Sequence, residues 1–302
     1  MTLPRISIVT PCLNRAQYLG EAIESVRAQN YANCEHIIVD GLSTDGTVEL
    51  LARYPHLRVI READNGLYDA LNKGLRAATG EIIGHLNSDD LFAPDVFRRV
   101  QEAASDPAIE AVYGHAEIFC ESQVDAGSAR LAEAQRLSAQ SVALTFETVT
   151  LGAPNPNARF FRRSVYERAG YCDTRYRVAA DRDFLLRVAL LRPRAALLDG
   201  VIYRYRWHAG ALTFASNPAG DAQVRDEYLD IAERFLVRTD LPAEARPPLR
   251  RWHRRESATS ATRLLFAGEL RRCGRYAARG VQVSATWPIH FARHVGGALL
   301  GR

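Results

Sequence analysis

Apolar residues in the N-terminal third of the chain gather in short runs: Ile6–Val9, Ile37–Val39, Val59–Ile60 and Ile82–Leu86. Each run ends in polar or turn-forming residues, as buried strands do. Between them, Tyr18–Ala28, Thr47–Arg53 and Tyr68–Ala78 carry apolar residues at helical spacing. This alternation predicts βα units feeding a mostly parallel sheet flanked by helices, an α/β fold.

From Ala111 to Gln140 the pattern weakens, and a strand pair followed by a polar loop or insertion is expected there. Order returns near Phe146. A second block then reads as a strand at Arg159–Arg162, a helix capped by Ser164, a helix over Ala179–Leu191 and strands through Ala196–Trp207. Beyond Pro218 the pattern is helical only. The expected organisation is one α/β domain over residues 1–215 and a helical C-terminal extension over 216–302.

A hydrophobic fraction of 47% with 25% charged residues places the chain among ordinary globular proteins and excludes disorder as its main character. The five cysteines are scattered and never form a C-x-x-C pair, so neither a zinc cluster nor a disulfide framework is indicated. No signal-peptide pattern opens the sequence, and no apolar run is long enough to span a bilayer. The cytoplasm is the expected location. The net charge of +4 is carried almost wholly by arginine, since Lys73 is the only lysine.

In open α/β sheets, ligands gather beyond the carboxyl ends of the strands. There the sequence reads Thr10-Pro-Cys-Leu-Asn14, Asp40-Gly-Leu-Ser-Thr-Asp-Gly-Thr47, Glu62-Ala-Asp-Asn-Gly66 and Asn87-Ser-Asp-Asp90. The adjacent carboxylates Asp89 and Asp90 suit a hard divalent cation, because Mg²⁺ and its kin take oxygen ligands and typically use one or two carboxylates plus substrate phosphates. Equally, Ser88 or Asp89 serves to cap a turn or the next helix. Asp40 stands at a strand end, where it can accept hydrogen bonds from a nucleobase, while Ser43, Thr44 or Asp45 can cap the helix that follows. Asp69, Asn72 and Lys73 share one helix face, readable as a ligand contact or as a solvated surface. Ala180-Asp-Arg-Asp183 opens an apolar helix, where an acid is also favoured by the macrodipole.

Taken together and in order, Ser7-Ile-Val-Thr-Pro-Cys-Leu-Asn14, Ile38-Val-Asp-Gly-Leu-Ser-Thr-Asp-Gly-Thr47 and Gly80-Glu-Ile-Ile-Gly-His-Leu-Asn-Ser-Asp-Asp90 closely resemble the family 2 glycosyltransferases of the GT-A fold. Asp64–Gly74 and Ala179–Arg187 look like the bacterial members that build surface-polysaccharide repeat units. The resemblance covers residues 5 to about 210.

It implies transfer of a sugar from a nucleotide-sugar donor to an acceptor hydroxyl, inverting and dependent on Mn²⁺ or Mg²⁺, in polysaccharide or glycolipid biosynthesis. Donor contacts are implied for Pro11, Asn14, Asp40, Asp64, Lys73, Asn87 and Asp89. Metal contacts are implied for Asp89 or Asp90, and His208 sits where some GT-A enzymes present a C-terminal histidine or arginine to the metal or diphosphate, the alternative being a surface or core histidine. The general base falls on Asp181, aligned through Asp183–Arg187. Two departures stand out: Asn87 occupies the first DXD position, where many relatives have Asp, and Ala180 replaces the Glu that usually precedes the base. A UDP-sugar is the favoured donor, with GDP- and dTDP-sugars as alternatives, and the acceptor is a saccharide or a lipid-linked saccharide.

The arginine-rich C-terminal segment, ending in Trp287–Leu300, reads either as helices with a solvated basic face or as a peripheral contact with the inner face of the membrane. No nucleic-acid-binding module accompanies the charge, so nucleic acid is not an expected partner. The rival reading is a catalytically inactive relative that binds nucleotide or polysaccharide, or that partners a transferase. A nucleotidyltransferase is disfavoured because residues 8–16 lack a glycine-rich phosphate loop.

Overall fold

The computed structural model describes residues 3–120, 143–152, 157–208 and 218–300. In chain order the elements are β1 (Ile6–Cys12), α1 (Leu19–Arg27), β2 (Cys34–Asp40), α2 (Thr47–Leu51), β3 (Arg58–Arg61), α3 (Leu67–Ala77), β4 (Ile82–His85), β5 (Leu91–Phe92) and α4 (Val96–Ala103). They continue with β6 (Ala111–Cys120), α5 (Phe146–Leu151), β7 (Arg159–Arg162), α6 (Arg163–Ala169), α7 (Ala180–Leu191) and β8 (Ala195–Trp207). Helices α8 (Pro218–Leu236), α9 (Arg246–Phe266), α10 (Leu270–Val283) and α11 (Trp287–Leu299) complete the chain. Two compact units result, Met1–Leu144 with Pro154–Ala215, and Thr145–Ala153 with Ser216–Arg302.

The first unit is built on one mixed, mostly parallel eight-stranded sheet in the order β3-β2-β1-β4-β7-β6-β8-β5. β1 is central and pairs in parallel with β2 and β4, and all seven of its residues are buried. This is why it reads as a continuous apolar run rather than an alternating one. One face carries Ile6, Ile8, Ile82 and Leu86 against Ala22 and Val26 of α1 and Val96, Phe97 and Val100 of α4. On the other face α3 lies so close that a Cβ at Gly74 would collide with Val9, which accounts for a glycine in the middle of a helix.

Topology then fixes where the loops meet. β7 is antiparallel to β4, and β6 is antiparallel to β7, so β6 and its parallel neighbour β8 run in the same direction as β4. The end of β8, at Trp207, therefore emerges on the same edge of the sheet as the ends of β1, β2 and β4. Residues far apart in sequence are delivered to one rim.

Three local expectations need correction. Val59–Ile60, read as a buried strand, lie in the edge strand β3, where Val59 is exposed. The helix after β7 begins at Arg163 with Arg162 in the capping position, so Ser164 lies inside its first turn and does not cap it. The weakly patterned stretch contributes the long strand β6, while the second strand and the insertion expected up to Gln140 fall outside the described residues.

The second unit packs α5 and α8–α11 around Leu229, Ala258, Ala261, Cys273, Tyr276 and Trp287. Polar contacts cross between its helices: Trp287 Nε1 donates to Ser257 Oγ at 2.8 Å, and Glu233 receives Arg279 and His253, each at 2.8 Å. Among the described residues no helix is long and apolar enough to cross a membrane.

Candidate donor and catalytic site

The first part of the site lies where β1, β2 and β3 end in register, Cys12 beside Asp40 and Asp40 beside Arg61. Asp40 is fully buried, and its carboxylate accepts from the Ser43 N–H at 3.1 Å, from the Ser43 hydroxyl and from Arg61 Nε at 3.1 Å. A buried charge needs such partners. Ser43 therefore serves Asp40 and does not cap α2, whose N-cap is Gly46; the Thr47 N–H is met instead by Asp45 at 3.1 Å.

Asn14, at φ 54°, joins this loop to the end of β1. Its N–H donates to Ser43 Oγ at 2.8 Å, and its side-chain oxygen accepts from the Thr44 N–H at 2.9 Å. Pro11 is buried within β1, opposite Val39. Asp64 accepts from the Gly66 N–H at 2.8 Å, closing the turn that leads into α3, and its other oxygen occupies the place where a side chain at residue 41 would stand. Gly41 thus lets Asp64 approach Asp40's loop. Lys73 reaches back to the same turn, donating to Ala63 O at 2.5 Å and pairing with Glu62 at 3.1 Å.

The second part follows β4. The loop Asn87–Asp90 is tied to β8 through Asp90, which is fully buried and accepts from Tyr203 OH at 2.7 Å, the Arg206 N–H at 2.8 Å and Asn87 Nδ2 at 2.9 Å. Burial, with Asp89 next door, pushes the Asp90 carboxyl up to about 7 despite these donors. Tyr203 OH also accepts from the Asn87 N–H at 3.1 Å. Arg206, 1% exposed, donates to Asp89 O and to Glu21, both at 2.8 Å, and lies over the Tyr18 ring.

Asp89 differs from its neighbour. Its Oδ2 lies 3.1 Å from His208 Nε2, both side chains are half-buried, and the imidazole leans on Tyr18 with ring centroids 4.7 Å apart. Of the expected metal ligands, Asp89 and His208 are brought together at the rim, while the Asp90 carboxylate is turned inward onto β8. Among the described residues no group of three or more His, Cys, Asp or Glu side chains is arranged to hold a metal. The pair does fit two places on a hard cation, since neighbouring ligands of an octahedral ion about 2.1 Å away stand about 3 Å apart.

The third part is at the start of α7. Asp181 is half-buried in the first turn, and its Oδ1 accepts from the Arg182 N–H at 2.7 Å. Burial holds its pKa above the usual carboxylate range. Tyr68 of α3, next to Asp181, donates to Val178 O at 3.2 Å. Asn72 does not face solvent: it pairs with both backbone groups of Cys172, at 2.8 and 3.0 Å, and so fastens α3 to the segment before α7. Asp183 is bound by Arg187 at 2.9 Å and is structural.

Sequence reasoning passed over Tyr18, Glu21, Arg61, His85, Tyr203 and Arg206. The parallel register of β2 and β3 would have pointed to Arg61; nothing local marks Tyr203 or Arg206. His85, on β4 two residues before Asn87, is held neutral by burial, which lowers its pKa to about 4, and its Nε2 has no hydrogen-bond partner among the described residues.

Residues 7–170 match the family model described as Glycosyl transferase family 2, more than half of the chain. The chain is a family 2 glycosyltransferase. The transferase is 28% identical over 240 residues to EpsJ, an uncharacterized glycosyltransferase of Bacillus subtilis (strain 168), a match covering 75% of this chain and 68% of that one. Crystal structures share its fold. S. aureus TarS 1–349 in complex with UDP-GlcNAc aligns with a TM-score of 0.65 at 15% identity, over 99% of this chain and 92% of that one. In another crystal structure of TarS the match takes in 43% of that chain. The mannosyltransferase PcManGT from Pyrobaculum calidifontis in complex with GDP-Man and Mn²⁺ aligns with a TM-score of 0.60 at 21% identity, over all of this chain and 82% of that one. These neighbours establish the GT-A fold of the transferase.

Proposed function

We propose that the protein transfers a sugar from a nucleotide-sugar donor to an acceptor hydroxyl with inversion at the anomeric carbon, using a divalent cation. The observation that carries this reading is the meeting of Asp89 and His208 at 3.1 Å on the rim of the sheet, beside a loop braced by Asp90. That two fold neighbours were crystallised with UDP-GlcNAc and with GDP-Man and Mn²⁺ supports it.

In this reading Asp40, Asp64, Pro11 and Asn14 line the nucleoside end. Asn87 and Asp89 face the ribose and diphosphate, and Lys73 holds the turn that carries Asp64. Asp89 and His208 would hold the cation. Mn²⁺ or Mg²⁺ held there supplies Lewis-acid stabilisation of the leaving nucleoside diphosphate.

Asp181 is the base. The acceptor oxygen forms a bond to the anomeric carbon as the bond from that carbon to the diphosphate oxygen breaks, and the hydroxyl proton passes to the Asp181 carboxylate. A carboxylate with a raised pKa is a better proton acceptor, so the burial of Asp181 serves the chemistry. The acceptor is a saccharide or lipid-linked saccharide of polysaccharide or glycolipid biosynthesis. The reaction takes place in the cytoplasm or at the inner face of the membrane, with residues 1–215 carrying the chemistry and 216–302 forming a helical extension.

Thermal-shift titration with UDP, GDP and dTDP, each with and without Mn²⁺, tests the reading, because a ligand that binds only the folded state raises its apparent stability. A manganese-dependent shift with one nucleotide supports it and identifies the donor class. No shift with any nucleotide defeats it in favour of an inactive relative.

A further inference from the structure

From Leu270 to Leu300 the chain contains no acidic residue and five arginines. Three of these, Arg271, Arg275 and Arg293, are exposed and make no hydrogen bond or ion pair among the described residues. Such a run of like charge costs self-repulsion and needs a counter-charge from outside the segment.

The same two helices expose aliphatic side chains. On α10, Cys273, Tyr276 and Gly280 face the bundle, while Leu270 is 67% exposed and Val281 50%. On α11, Trp287 is buried and stacks on Phe291, whereas Ile289 is 57% exposed and Leu299 69%. Aliphatic groups interleaved with arginines suit an acyl–headgroup boundary, where the apolar groups enter the boundary and the guanidinium groups stay at the headgroups. Nucleic acid would call for exposed aromatic faces, and the exposed large residues here are aliphatic.

Beside this surface a cleft of about 370 Å³ is lined by Asp226, Arg272, Arg275, Tyr276 and Arg279. Its walls are fixed: Arg279 is held by Glu233 at 2.8 and 3.0 Å, Arg272 by Glu269 at 2.6 Å, and Tyr276 donates to Asp226 at 2.6 Å. Arg275 completes the lining without such a tether. Of the lining arginines, Arg275 is the one that no carboxylate holds among the described residues, and its guanidinium suits the phosphate of a lipid headgroup.

We propose that α10 and α11 form a docking surface for an anionic phospholipid bilayer, with the arginine cleft receiving a headgroup phosphate. The surface stands apart from the transfer reaction and does not depend on it.

The full chain is sedimented with vesicles of phosphatidylcholine, with and without about a third phosphatidylglycerol. The expected result is binding to the anionic vesicles only, weakened by salt. Each arginine near an anionic surface contributes about fivefold in partitioning, so Arg271→Gln, Arg275→Gln and Arg293→Gln together lower binding about 100-fold. Because these side chains make no hydrogen bond or ion pair among the described residues, the triple variant keeps its melting temperature and its response to nucleotide. Ile289→Ser with Leu299→Ser, kept folded by the same criterion, also weakens binding. Equal binding to neutral and anionic vesicles overturns the proposal, as does unchanged binding by the triple variant. So does full competition by inorganic phosphate at constant ionic strength, which would mark a site for free phosphate, or retention on RNA without vesicle binding.

Discussion

Tyr203→Phe removes one oxygen atom from the centre of the site and leaves the ring in place. The hydroxyl donates to the buried Asp90 carboxylate at 2.7 Å and accepts from the Asn87 N–H at 3.1 Å. A hydrogen bond to a charged group contributes about 1.5–3 kcal/mol, and a neutral one about 1 kcal/mol. The expected loss is therefore about 2–4 kcal/mol, a large share of the roughly 5–15 kcal/mol that holds an ordinary domain. At about 2–4 °C per kcal/mol for a unit of this size, the melting temperature falls by roughly 5–15 °C.

The effect also has a pH signature. Asp90's folded pKa, about 7, lies above its ordinary value of 3.8, so its contribution to stability is full below the ordinary value and is lost as pH rises through about 7. The Tyr203 hydrogen bond lowers that pKa, so its removal raises it further, and the variant loses more than the wild type as Asp90 ionises. Scanning calorimetry of both proteins should show a gap that is smaller at pH 5.5 than at pH 8.5. A gap under about 2 °C at both pH values, below what one hydrogen bond to a charged group should give, would refute the bracing role of the Tyr203 hydroxyl.

Asp181→Asn should stay folded and keep its nucleotide response while transfer falls about 10²–10⁴-fold, the usual reach of general-base catalysis, measured by single-turnover sugar transfer. In the wild type kcat/KM should fall as pH drops through the raised pKa of Asp181, because the protonated form cannot accept the hydroxyl proton; an acid limb at the pH of an ordinary carboxylate would contradict this. Asp89→Asn or His208→Ala, like chelation by EDTA, should abolish the manganese-dependent part of the nucleotide thermal shift. Asp90→Asn should retain that part, and its loss there would return Asp90 to the metal. Gly41→Ala drives a methyl group into Asp64 Oδ2, so isothermal titration should show nucleotide affinity reduced about tenfold or more with little change in melting temperature.

The buried strands β1, β2 and β4 were legible because a strand covered on both faces must be apolar throughout, and the helices between them carry the 3.6-residue period. Strand-end residues such as Asp40 and Asn87 were legible too, because parallel strands end at one edge and ligands gather there. The resemblance supplied roles for Asp89, Asp181 and His208 that local pattern alone left open.

What the sequence could not show is how two neighbouring, chemically identical carboxylates divide their work. Asp89 and Asp90 differ only because β8, more than a hundred residues later, presents Tyr203 and the Arg206 N–H to one and His208 to the other. Likewise Asn72, readable from its spacing as a ligand contact or as part of a solvated face, is held by the Cys172 backbone. Local preference and hydrophobic period determine which elements form and which residues stand at their ends. Burial, partners and proton affinity are set by long-range pairing, here by the direction in which β6 and β8 run beside β4, so only the tertiary structure decided which acid is buried against β8 and which stands at the rim beside His208.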